Sequence, residues 1–145
     1  MRKPKVLFLC THNSARSQMA EAFLRKYAGD RFEAYSAGFE PTELNPRARQ
    51  VMEEIGIDMS GYQAKGLKQF LGKTHFGYVI TVCMKAEGEC PIFPGTNVRL
   101  DWPFEDPAAF EGSEEGKLNK FRETRDKIGE KVKSWIREFP PADHA

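Results

Sequence analysis

Short strand-like runs alternating with helical patterns constrain this chain more than any other feature. The runs are Lys5 to Leu9, Phe32 to Ser36, Tyr78 to Val82 and, more weakly, Asn97 to Leu100. In the first, four apolar residues follow Lys5 without alternation, as in a strand buried on both faces. Ala20, Phe23, Leu24 and Tyr27 recur at i, i+3, i+4, i+7 and predict a helix from about Arg16 to Ala28, stopped by Gly29. Asn45-Pro46 reads as the cap and first-turn proline of a second helix ending near Gly56. Leu67 to Leu71 fits a short third helix. Leu118, Phe121, Ile128, Val132, Trp135, Ile136 and Phe139 share one face of a long C-terminal helix closed by Pro140-Pro141. This alternation predicts an α/β fold of three layers, a small, mostly parallel four-stranded sheet with helices on both faces. No linker or repeat divides the 145 residues, so residues 1–139 are expected as one domain and 140–145 as a tail.

Charge narrows the function. A net charge of +1 with well-mixed signs gives no global attraction to nucleic acid or an anionic membrane, so any anion site is local. No apolar stretch approaches a membrane span, and the apolar part of MRKPKVLFLC is too short for a signal peptide. The expectation is a cytoplasmic monomer whose three cysteines are free thiols.

In a doubly wound sheet, ligands sit beyond the carboxyl ends of the strands, where the strand order reverses. The loops after Leu9 and after Val82 both lie at that edge, and both open with cysteine. The first reads Cys10-Thr11-His12-Asn13-Ser14-Ala15-Arg16-Ser17, a C-x5-R between strand and helix. A loop of this length can turn several backbone N–H groups inward, and the positive end of the helix adds to their field. Arg16 supplies a planar fork for two oxygens of a tetrahedral anion. The same field favours thiolate over thiol at Cys10, and the Ser17 hydroxyl can donate to it. By itself the spacing leaves two readings open, a nucleophile on an oxyanion loop and a small buried thiol. The place between strand and helix favours the first.

VLFLCTHNSARSQMAEAF resembles the phosphate-binding loop and first helix of the low-molecular-weight tyrosine phosphatase fold, and more closely the thioredoxin-coupled arsenate reductases that use it. The likeness continues through YSAG at Tyr35–Gly38, Asn45-Pro46, GIDMS at Gly56–Ser60, VITVC ending at Cys83, Cys90-Pro91 and WPFEDPA from Trp102. A phosphatase of this fold needs the first cysteine and a general acid. Here Cys83 and Cys90 form an added C-x6-C pair. If their strand neighbours the first, Cys83 starts within about one strand spacing, ~4.8 Å, of the Cys10 backbone. Spacing alone leaves open a surface thiol at Cys90, a packed thiol at Cys83 or a metal site, although neither the six-residue gap nor the histidines suit zinc.

The resemblance implies a relay. Cys10 attacks arsenate, Cys83 attacks the Cys10 sulfur as arsenite leaves, and Cys90 attacks Cys83 to leave a disulfide for external thioredoxin, with no bound metal or cofactor. Phosphate or sulfate is expected to compete with arsenate. Asp106, aimed by Pro107, matches the family's general acid, with Asp101 and Glu105 as neighbours that could be mistaken for it. The alternatives are a tyrosine phosphatase using Cys10, Arg16 and Asp106, and a non-catalytic oxyanion-binding or redox-sensing module. DPAAF lacks the paired tyrosines such phosphatases often carry after Asp-Pro. His12 stands where family members often have glycine, and Ala15 where some have another cysteine. Some relatives bind potassium beside the loop. Asn13, Glu21 and Ser36 match such ligand positions, whereas Lys65 stands in place of an acidic ligand, so its ammonium is expected to replace the ion.

Overall fold

A computed structural model describes residues 3–84 and 98–138. Cys90, Asn97, Phe139, Pro140-Pro141 and the 140–145 tail lie outside the described residues. Four strands, β1 (Lys5–Cys10), β2 (Glu33–Gly38), β3 (Tyr78–Thr81) and β4 (Val98–Asp101), form one parallel sheet in the order β2-β1-β3-β4. Among the described residues three α-helices accompany it: α1 (Arg16–Ala28), α2 (Pro46–Glu53) and α3 (Glu114–Arg137).

The unbroken apolar run of β1 is explained by two cores. Val6, Phe8 and Cys10 enter a large cluster with residues of α1, α2 and α3. Leu7 and Leu9 point the other way and pack with Ala37, Phe70, Phe76 and Val79. Covering both faces of β1 removes Val6 through Leu9 from solvent entirely. Each such side chain contributes about 1.5–3 kcal/mol of burial. The smaller core lies under the stretch containing Leu67–Gln69, where the third predicted helix is a single 3-10 turn. Leu67 and Phe70 are the residues facing the core there, and a three-residue spacing suits a 3-10 turn better than an α-helix.

Helix α1 is held between the sheet and α3, so ten of its thirteen residues are buried and its apolar face is wider than a stripe. Tyr27, the last member of the predicted stripe, is instead 41% exposed and stacks on Phe23. At the α1–α3 contact a Cβ on Gly129 would lie 2.9 Å from the Phe23 ring, so α3 approaches through glycine. Asn45 caps α2 by accepting from Arg47 N at 2.8 Å, with Pro46 in the first turn. Ser113 caps α3 by accepting from Gly116 N.

The chain runs from β1 to β2 on one side and returns to β3 on the other. The strand order therefore reverses between β1 and β3, and their carboxyl ends flank the crevice. Val82 N bonds Leu9 O at 2.9 Å and carries the pairing past the end of β3, bringing the start of the Cys83 loop beside Cys10.

Candidate active site

The loop from Cys10 to Arg16 is shaped from outside. Phe39 N, Glu40 N, Thr42 N and Asn45 N donate to the carbonyls of Cys10, Thr11, His12 and Ser14 at 2.8–3.3 Å. Met19 N takes Ala15 O within the helix start, and Gln18 Nε2 takes Asn13 O at 2.6 Å. Six consecutive carbonyls are thus held, and since C=O and the following N–H of a trans peptide point in opposite directions, the amides of residues 11–16 face away from those partners. Among the described residues no acceptor meets the N–H of Ser14 or Ala15. Ala15 precedes α1 without a side-chain cap, and no acidic residue occupies its first turn. That leaves the positive end of α1 suited to an anion. Gly38 makes the close approach possible: a Cβ there would meet Asn13 N and His12 C at 2.8 Å and Thr11 O at 2.9 Å.

Cys10 is a free, buried thiol. Its Sγ accepts from Asn13 N at 3.2 Å and lies 2.9 Å from Ser17 Oγ. The direction of the second bond follows from its neighbours. Lys65 N donates to Asn13 Oδ1 at 2.7 Å, so Asn13 Nδ2 is the atom facing Ser17, and it donates to Oγ at 2.7 Å. The Ser17 hydroxyl, already an acceptor, is left to donate to sulfur. Asn13 is held at φ 55°, a left-handed conformation that asparagine tolerates.

Arg16 and Asp106 come together across 90 residues of sequence. Arg16 Nη1 donates to Phe104 O at 2.9 Å, and Nη2 lies 3.8 Å from Asp106 Oδ2. The Asp106 loop is anchored by Trp102, which packs against Phe8 and Trp135 and bonds through its N–H to Thr81 O. Asp106 Oδ1 accepts from Ala108 N and caps the 3-10 turn Pro107–Ala109, which turns Oδ2 toward Arg16. The neighbouring carboxylates are engaged elsewhere. Glu105 pairs with Lys120, whose hydrogen bond holds it below the usual carboxylate range, and Asp101 accepts from Thr81 Oγ1.

Behind the loop, Glu21 is 4% exposed and fully partnered. Ser36 Oγ donates to Oε1, Arg25 Nη2 to Oε2 at 2.7 Å, and Lys65 Nζ lies 3.5 Å from Oε1. Arg25 also bonds Ala34 O and reaches the Tyr62 hydroxyl, whose pKa is pushed up by burial. Lys65 thus connects Glu21 to Asn13: its ammonium meets the carboxylate, its backbone N–H the asparagine.

Cys83 is buried at 1% exposure and disulfide-bonded, whereas Cys10 carries a free thiol. Cys90 lies outside the described residues. His12 is exposed and donates through Nδ1 to Glu40 O at 3.0 Å, tying the loop to its scaffold. Thr11 and Ser14 are half-buried and Ala15 is buried. Among the described residues no cluster of His, Cys, Asp or Glu side chains could hold a metal ion, and no helix is long and apolar enough to cross a membrane. Gln18 reads in sequence only as one more polar position of the helix, and of the 39–45 segment only Asn45 is singled out, as a cap, because main-chain pairing leaves no side-chain signature.

A model of the family described as low molecular weight phosphotyrosine protein phosphatase matches residues 5–142. An arsenate reductase of Halalkalibacterium halodurans is 44% identical over 136 residues, covering 93% of this chain and 96% of that protein. Among solved structures, an arsenate reductase in a phosphate-binding state superposes with a TM-score of 0.73 at 31% identity, covering 93% of this chain and 98% of the other. A thioredoxin-dependent arsenate reductase of Corynebacterium glutamicum gives 0.68 at 30% identity, covering 94% of this chain and 61% of the other.

Proposed function

Since the chain belongs to the low molecular weight phosphotyrosine protein phosphatase family, we propose that it turns the family's oxyanion loop to the reduction of arsenate. The observation that carries this reading is the β1–β3 pairing, which sets Cys83, a second buried sulfur, at the strand end beside the Cys10 loop. A hydrolase needs no such residue.

Arsenate lies in the Cys10–Arg16 loop with its oxygens on backbone N–H groups and the Arg16 fork. The Cys10 thiolate, held by Asn13 N–H and the Ser17 hydroxyl, attacks arsenic and forms an S–As bond. Asp106 Oδ2 gives its proton to the departing hydroxide, which leaves as water. The Cys83 thiolate then attacks Cys10 Sγ. An S–S bond forms, the S–As bond breaks, and its electron pair stays on arsenic, so arsenic(V) leaves as arsenite. Cys90 attacks Cys83 and expels Cys10 as thiolate. A disulfide with a free Cys10 is the distribution reached at this point. The dithiol of thioredoxin reduces that disulfide and becomes oxidised itself. Every electron travels on sulfur, so the cycle invokes no bound cofactor, and every residue comes from one chain, so a monomer suffices. A cycle that starts from three thiols belongs in a reducing compartment, the cytoplasm.

Lys65 completes the proposal. Its ammonium takes the place of a bound cation between Glu21 and the loop. Phosphate and sulfate, being tetrahedral oxyanions, compete for the loop.

The test is arsenite release by the full chain with thioredoxin, thioredoxin reductase and NADPH, run beside hydrolysis of an aryl phosphate. Steady arsenite release that depends on thioredoxin is the expected result. Efficient hydrolysis without arsenite release would assign the chain to the phosphatases, and neither activity would leave an oxyanion-binding module.

A further inference from the structure

Gln18 is fully buried in the first turn of α1, yet only half of its amide is used. Nε2 donates to Asn13 O at 2.6 Å, and among the described residues Oε1 has no partner. The amide cannot be turned over, because Oε1 would then face the asparagine carbonyl. A buried, unpartnered amide oxygen costs about 1–3 kcal/mol. Methionine, of similar size, would exchange that orphan for another, the buried Asn13 carbonyl, so a gain in stability does not account for glutamine here.

The loop does account for it. Five of the carbonyls from Cys10 to Ala15 are held by backbone N–H groups. Thr42 takes His12 and Asn45 takes Ser14, so the 39–45 segment passes over Asn13, the residue at φ 55°. Its carbonyl falls to Gln18. We propose that Gln18 is a positioning residue for oxyanion binding: by holding the Asn13–Ser14 peptide it aims the Ser14 N–H into the loop as an anion donor. Cys10 is served by different bonds, from Asn13 N, whose peptide Thr42 holds, and from Ser17. Gln18 therefore acts on the anion and leaves the thiol alone. Only the identity of the oxyanion rests on the arsenate reading.

The test is Gln18→Met in the full chain, with inorganic phosphate as the binding probe. One hydrogen bond's worth of orientation predicts a phosphate Kd and an arsenate KM raised about 2- to 10-fold, with kcat within about twofold of the parent. Alkylation at Cys10 by neutral iodoacetamide, followed on the Cys10 peptide, keeps its rate, and the melting temperature stays close to the parent's, since one orphan oxygen replaces another. An unchanged phosphate Kd overturns the proposal. So does a lowered melting temperature accompanied by equal losses of phosphate binding and alkylation, which is the mark of a packing residue. If the variant does not fold, the parent chain decides: in a phosphate titration followed by amide NMR, Ser14 N–H must shift with the binding curve, and a silent Ser14 overturns the assignment. A parent that binds phosphate but releases no arsenite refutes the arsenate reading and leaves this one standing. A parent that binds no tetrahedral oxyanion refutes both.

Discussion

Asn13 must do several things that few residues can do together. It adopts φ 55°, accepts from Lys65 N, donates to Ser17 Oγ and presents its own N–H to Cys10 Sγ. Aspartate keeps the shape but replaces the donor with an acceptor, which draws the Ser17 hydroxyl away from sulfur. Asn13→Asp is therefore expected to slow iodoacetamide alkylation of Cys10 by about tenfold, the worth of a hydrogen bond to a charged group. An unchanged rate would show that Ser17 does not serve the thiol. The acid is equally specific. Asp106→Asn should lower arsenate kcat by about 10²–10⁴-fold, whereas Glu105→Gln and Asp101→Asn stay near the parent, because those carboxylates serve Lys120 and Thr81. For Lys65, the expectation is activity insensitive to exchanging sodium for potassium; a steep rise with potassium alone would contradict its role as the resident cation. Much of this scale is legible in sequence, since Cys10, Arg16 and Ser17 sit in one short motif. Asp106 is picked out from three nearby carboxylates only by the family resemblance, and how Trp102 and the cap on the Pro107–Ala109 turn hold it toward Arg16 is not visible in sequence.

Among the elements, the 39–45 segment is the least visible in sequence and among the most consequential. Its amides at Phe39, Glu40, Thr42 and Asn45 follow on from the β1–β2 pairing past the ends of both strands and hold the loop carbonyls by main-chain bonds. Periodicity finds strands and helices because their side chains repeat. A stretch whose partners are carbonyls repeats nothing, and Asn45-Pro46 announces only the helix it caps. Gly38, where a Cβ would meet the loop backbone, offers a direct test of the segment's approach. Gly38→Ala forces a Cβ to within 3 Å of three loop backbone atoms, and backbone cannot yield as a side-chain tip does. We expect a loss of about 1–3 kcal/mol in unfolding free energy by urea titration, with weakened phosphate binding. A fully stable variant with parental affinity would show that the loop has slack. The apolar stripe of α1 was readable for a related reason, and its extra width was not, since only the α3 contact through Gly129 reveals that the helix is covered on a second side.

Over the whole molecule, α2 is clamped at both of its ends to the first half of α3 by arginine–glutamate pairs. Arg47 holds Glu114, and Arg122 with Arg125 holds Glu54. The Arg122 hydrogen bond holds the Glu54 carboxyl below its usual range, and Arg47 does the same for Glu114. A carboxylate whose pKa is lowered by folding stabilises the native state above its ordinary pKa, and that contribution is lost as pH falls through the folded value. The Glu54→Gln, Glu114→Gln double variant should therefore unfold at lower urea than the parent at neutral pH, with the gap closing in acid; a gap independent of pH would mean that charge is not what the pairs contribute. The larger claim concerns the sheet, which sets the chemistry by pairing β1 with β3 so that one sulfur loop adjoins another. Cys83→Ser separates the two reactions the fold could perform. Assayed with thioredoxin, thioredoxin reductase and NADPH, it should release no arsenite beyond background while hydrolysing an aryl phosphate at the parental rate. Continued arsenite turnover by Cys83→Ser would contradict the relay.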